Sequence, residues 1–264
     1  MAGTAQPDAT DRRFRRLRIF NAVTGLVLLA QGVLMLVLSS DFALPITTRY
    51  LGNNIGRRIP IPVTREVTLL RIGPLVAMFL FISAAALLLI ASPGIFGWYK
   101  KNLKKNTNYA RWIEYFFSAS LMIVVIAMLS GIYDLSSLIL IFFLNAMMIL
   151  FGLMMELHNQ TTEKTNWTAF AFGCIAGIVP WVVIALYFIS AAADPSNNIP
   201  KFVPFILVTL FIFFNIFAVN MVLQYRKVGP WRDYLFGEKV YIILSLTAKS
   251  ALAWQVFAGT LRPK

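Results

Sequence analysis

Lys249 and Glu114 are the two side chains whose chemistry is hardest to reconcile with their surroundings, because each sits well inside a long apolar run. A lone lysine at mid-membrane costs about 2.5–3.5 kcal/mol on insertion scales, so it needs a partner or a purpose. Three uses compete. The two residues form a structural pair that joins helices, or they belong to a transport site, or the lysine carries covalent chemistry. Transport relays use several protonatable groups in series, and this interior offers one carboxylate. Arg71 and Glu156 are expected near helix ends, where they reach water. A desolvated amine is a good Schiff-base nucleophile, and a protonated imine in low dielectric needs a carboxylate beside it.

The elements that hold these residues must be membrane helices. Of 264 residues, 59% are hydrophobic and 13% charged, whereas a soluble domain carries about 25% charged residues. The net charge of +13 does not indicate nucleic acid. Its basic residues lie at the ends of apolar runs, where they orient helices and meet anionic lipid. A single cysteine, Cys174, and a single histidine, His158, exclude an intramolecular disulfide and leave no spacing for a metal or haem site. No enzymatic activity is expected.

Seven stretches reach the ~20 residues that a bilayer core requires: 19–40, 67–92, 110–133, 136–157, 167–191, 202–225 and 239–261. They predict an all-α protein, one seven-helix transmembrane domain over residues 1–264, resident in the cell membrane. The first run follows Arg12–Arg18 and is too long for a signal peptide. Lys and Arg favour the side of the N-terminal tail and the second, fourth and sixth loops by 15 to 8, which puts the N-terminus in the cytoplasm and the C-terminus outside. The first external loop has two β-prone runs, Phe42–Tyr50 and Ile55–Val63, around Gly52–Asn53–Asn54. It predicts a short β-hairpin on the outer surface.

A ligand pocket is expected around the lysine. Ser245 lies one turn before Lys249 and Ser118 one turn after Glu114, each on the same helix face as its neighbour. Trp254 would wall an elongated polyene. Phe213, Phe214, Phe217, Pro180, Trp181, Met147 and Met148 supply apolar lining at comparable depth. The amides Asn145, Asn215 and Gln31 are expected to join helices. One internal lysine on the last of seven helices, with one internal glutamate on the third, fits retinal attachment best; the structural pair and the transport site stay open.

The segment Tyr241–Phe257, YIILSLTAKSALAWQVF, closely resembles the last helix of heliorhodopsins, with Lys249 at the retinal-bearing position. Arg111–Tyr115, RWIEY, resembles the start of their third helix, with Glu114 in the counterion place. Phe20–Asn21 and Gln31–Gly32 are similar too, and the resemblance covers nearly the whole chain. It implies all-trans retinal as cofactor, an inverted topology, and a homodimer that meets at the first external loop. It also implies Ser245 beside the Schiff base and Phe214, Met148, Pro180 and Trp254 against the chromophore. Members of the family often carry histidines on the first two helices; here those regions read Leu26–Leu29 and Ser83–Leu87. The implied function is a light sensor that isomerises retinal and signals slowly without pumping ions, through an unidentified cytoplasmic partner. The alternatives are a light-gated proton channel or transporter, or an unpigmented protein with a structural Lys–Glu pair.

Overall fold

The computed structural model describes residues 9–53, 60–196 and 202–262. The elements run α1 (Ala9–Leu38), β1 (Ala43–Asn53), β2 (Pro60–Arg71), α2 (Ile72–Ala91), α3 (Pro93–Leu103), α4 (Tyr109–Leu129), α5 (Leu135–His158), α6 (Thr168–Ala193), α7 (Phe202–Tyr225) and α8 (Tyr234–Val256). A 3-10 turn, Gly229–Arg232, precedes α8, and a π turn, Phe257–Leu261, extends it. Seven of these helices, all but the short α3, are long and apolar enough to cross a bilayer. The chain is a multi-pass membrane protein.

The helix ends are written in local sequence. Asn108 caps α4 by accepting from Arg111 N at 3.0 Å. Asp134 caps α5 through Ser137 N at 2.9 Å, and Asp233 caps α8 through Leu235 N at 3.1 Å. Gly131, at φ +95°, turns the chain out of α4 in a conformation that L side chains rarely adopt. Extended Ser92 stops α2, and Pro93 then opens α3 at a position where its missing N–H costs nothing.

Several boundaries differ from expectation, the first helix beginning at Ala9 rather than 19 and α4 ending at Leu129 rather than 133. The second helix begins at Ile72 rather than 67. Residues 60–71 are rich in Val and Thr and pair as β2 with β1, so Arg71 is a strand residue that pairs with Asp41. The hairpin strands are therefore longer than expected, with Gly52 opposite Ile61 and Asn53 opposite Pro60. Asn54 and Ile55, in the expected turn and second run, lie outside the described residues. The last helix begins at Tyr234, five residues before the expected 239, once Asp233 caps it. α3 was not expected at all.

The hairpin and α3 mark opposite ends of the bundle. At the hairpin end, Thr47 N donates to Tyr133 O at 2.8 Å and Ser40 N to Leu261 O at 2.7 Å, so β1 is tied to the α4–α5 turn and to the end of the last helix. The core at this end is apolar, built on Val76, Leu80, Ile126, Leu210 and Leu252. The polar interior lies toward the α3 end, where α4 and α8 both begin.

Candidate functional site

Residues spaced by three, four or seven along a helix share one face. On α4 that spacing aligns Asn108, Arg111, Glu114 and Ser118; on α8 it aligns Glu238, Tyr241, Ser245 and Lys249. The two stripes meet inside the bundle. Lys249 Nζ lies 3.2 Å from Glu114 Oε1, with the two side chains 3% and 7% exposed. Nζ also donates to Ser245 Oγ at 2.5 Å and stands 4.9 Å from the centre of the Tyr115 ring. Glu114 Oε1 accepts from Ser118 Oγ and from Ser83 Oγ of α2, each at 2.5 Å. The amine thus has one compensating charge, and that charge is steadied by hydroxyls from two helices.

Beside this pair runs a cavity of about 540 Å³, within the ~300–1,000 Å³ of small-molecule sites. Its walls are almost wholly apolar, with Trp112, Tyr115, Met148, Trp181, Phe214 and Phe217 prominent, and Lys249 and Ser245 among its few polar groups. Glycines make the space: a Cβ at Gly177 would meet the Met148 sulfur, and one at Gly152 would meet the Trp112 ring. Trp181 packs edge-on against Phe211 and Phe214 at 5.4 Å between ring centres.

The expected residues divide. Lys249, Glu114, Ser245 and Ser118 come together in one hydrogen-bonded group, and Met148, Phe214, Phe217 and Trp181 line the cavity. Trp254 does not line it: its Nε1 donates to Gln31 Oε1 at 3.2 Å, and the side chain is partly exposed on the bundle surface. Five residues of helix rotate it by about 140° from Lys249 at 3.6 residues per turn, which turns it toward α1. Pro180, Phe213 and Met147 are likewise absent from the walls. Among the amides, Asn145 joins α5 to Ser120 of α4 at 3.1 Å and Gln31 joins α1 to α8, whereas Asn215 bonds within its own helix and lines the cavity.

A second ionic group went unforeseen. Arg111 bonds through one guanidinium nitrogen to Glu156 and through another to Glu238, and all three side chains are buried. Contrary to the expectation from its place near a helix end, Glu156 does not reach water; it also accepts from Trp112 Nε1 at 2.6 Å, Asn108 N at 3.0 Å and Tyr234 O–H at 3.2 Å. Glu238 accepts, besides Arg111, from Asn108 Nδ2 at 2.6 Å. The guanidinium carbon lies 3.9 Å from the centre of the Tyr241 ring and 4.5 Å from that of Trp112. The interior therefore holds Glu114, Glu156 and Glu238, not one carboxylate. The sequence carries a signal for it: Glu238 precedes Ser245 by seven residues and so shares its face, once α8 starts at Tyr234.

No individually curated protein matches the chain significantly. The family model for heliorhodopsin, by contrast, matches residues 17–261. That span includes every side chain of both ionic groups and, apart from the first residues of α1, all seven spanning helices, and on it the chain belongs to the heliorhodopsin family, membrane photoreceptors of the rhodopsin type whose chromophore is retinal.

Proposed function

We propose that the chain carries all-trans retinal on Lys249 Nζ and turns its isomerisation by light into a slow conformational signal, without pumping ions. The observation that carries this is a buried amine placed between one carboxylate and a large apolar cavity. The cavity suits that group: about 540 Å³ of apolar and aromatic wall with a primary amine in it. Retinal supplies the visible absorption and the light-driven change of shape. Glu114 then serves as counterion, holding the positive charge at Nζ, while Ser83 and Ser118 fix its carboxylate and Ser245 orients Nζ. Met148, Phe214, Trp181 and Phe217 confine the polyene. No enzymatic step is assigned to the chain.

The absence of pumping has a different support from the one the sequence suggested. Among the described residues every buried carboxylate lies toward the α3 end, and none is in the half of the interior that meets the hairpin. A proton has a place to go on one side only. The N-terminus and α3 belong to the cytoplasmic side in this proposal, where Lys100, Lys101, Lys104, Lys105, Arg226 and Lys227 meet anionic lipid or a signalling partner. A homodimer would form across the hairpin, where Leu51, Val67 and Leu69 are 71%, 53% and 60% exposed.

One observation favours a second reading. The added carboxylates Glu156 and Glu238 are the series that a light-gated proton channel or transporter would use, and light-driven current under voltage clamp would establish it; silence in a well-expressed sample removes it.

The direct test is absorption after all-trans retinal is added to the purified protein. The wild type forms a visible band, Lys249→Ala forms none, and Glu114→Gln shifts the band to the red because the ground state, whose positive charge sits at Nζ, loses the carboxylate that stabilises it more than the excited state. A band retained in Lys249→Ala places the attachment elsewhere. No band in the wild type leaves the pair structural.

A further inference from the structure

The two ionic groups are separated by a second, much smaller cavity. Asn21, Arg111, Glu114, Glu238, Tyr241 and Ser245 are among its walls, so it touches both groups. Its volume is about 30 Å³, and one water needs ~10–15 Å³ and at least two polar partners. Partners are there. Both side-chain atoms of fully buried Asn21, the Nε of Arg111 and the hydroxyl of Tyr241 have no hydrogen-bond partner among the described residues. A buried polar atom left dry is destabilising, and ordered water is the usual remedy.

The neighbouring cluster has an uneven charge. One guanidinium faces two carboxylates, and the donors are not shared equally. Glu156 is held by Arg111, Trp112, Asn108 N and Tyr234; Glu238 has only Arg111 and the Asn108 side chain. Hydrogen bonds to a carboxylate favour its charged form, and by that count Glu156, with four donors against two, is the better-held partner of Arg111. Glu238 is the carboxylate left over, and it is the one that lines the small cavity. Around that cavity it meets Asn21 from α1, Tyr99 from α3, Asn108 and Arg111 from α4 and Tyr241 from α8, with Glu156 of α5 across the guanidinium.

We propose that this chamber holds water and that Glu238 is the group that stores the proton released from Lys249 Nζ after light. This rests on the retinal reading above. The nitrogen keeps its electron pair; the proton passes by Ser245 Oγ and Glu114, both on the chamber wall, through the water and onto a carboxylate oxygen of Glu238. Recovery reverses the path, and the charge never leaves the bundle. The device needs no imidazole, which fits a chain whose only histidine, His158, lies at the end of α5.

Light-minus-dark infrared spectra of the full chain with retinal test the acceptor. A carboxylic-acid C=O band rises in the wild type, vanishes in Glu238→Gln and moves in Glu238→Asp, which guards against a folding defect in the first variant. A band that persists unchanged in both variants overturns the assignment. The chamber is tested without retinal: radiolytic labelling of the apoprotein by bound water marks Tyr241 and Tyr99, and Asn21→Leu loses the mark. An unmarked Tyr241 in the wild type means a dry chamber and overturns the proposal. Failure of the retinal reading looks different, with no visible band in the wild type; the proton then has no source and the acceptor role falls with it.

Discussion

Two buried ionic groups share the same pair of helices, and they are built in opposite ways. Lys249 faces one carboxylate, at 3.2 Å, and opens onto an apolar cavity of about 540 Å³. Arg111 faces two carboxylates, Glu156 and Glu238, and is packed between the Trp112 and Tyr241 rings. A guanidinium is planar, permanently charged and able to bond two partners at once, which suits a fixed joint; an ammonium loses its proton readily when buried and is a nucleophile, which suits chemistry. The difference assigns the roles. The arginine group locks the starts of α4 and α8 to the end of α5, and the lysine group is left free to change charge against that frame.

The largest effect expected from breaking this contrast is at Arg111. Arg111→Met keeps most of the side-chain length but strands two buried carboxylates, and removing one partner of a buried ionic group costs about 3–5 kcal/mol. The purified variant is expected to unfold at far lower temperature than the wild type, whether or not retinal is present. The lysine group should respond otherwise: the loss in Lys249→Met is recovered when Glu114→Gln is added, since the pair then leaves no charge behind. A thermal scan in which Arg111→Met is as stable as that double variant would mean that the arginine group is no lock.

The seven spans, the hairpin and the meeting of Lys249 with Glu114 were legible because each rests on a local rule: run length, β-branched alternation, and an uncompensated charge in an apolar run. What was not legible depended on helix boundaries. Arg111 and Glu156 lie within a turn or so of their helix ends, where the linear sequence treats charges as wetted, and Glu238 was counted as loop because the strongly apolar run of α8 starts after it. At that end α3 brings Tyr99 and Leu103 to the interior, and Tyr99 walls the same small cavity as Arg111 and Glu238. α3 itself, basic and short, has no apolar run to announce it. Trp254 differs: its place on an adjacent part of the helix and the family resemblance both put it against the polyene, whereas its rotation around the helix turns it toward Gln31 of α1.

Within the arginine group, the unequal sharing of donors can be measured. Glu156→Gln removes the charge from bonds that Arg111, Trp112, Asn108 and Tyr234 all make, and a hydrogen bond to a charged group is worth about 1.5–3 kcal/mol. Glu238→Gln removes a charge that Arg111 does not need, and its amide oxygen still accepts from the guanidinium. Denaturation midpoints should therefore fall clearly for Glu156→Gln and little for Glu238→Gln. The reverse order would make Glu238 the fixed anion and would free Glu156.

A small stability effect tests whether the two groups are coupled. Trp112 belongs to both: its ring walls the large cavity and its Nε1 donates to Glu156 at 2.6 Å. A methyl group at Gly152 of α5 would collide with that ring. Overpacking costs about 1–3 kcal/mol, and Gly152→Ala should lie near the low end because the ring has open cavity to move into. Moving there has two consequences at once. It takes volume from the polyene side and pulls the indole N–H from Glu156, loosening the anion that balances Arg111. Gly152→Ala should thus alter the pigment band and, in combination with Glu156→Gln, cost less than the sum of the two single changes. Strict additivity, with an unaltered band, would mean that Trp112 packs between the groups without linking them.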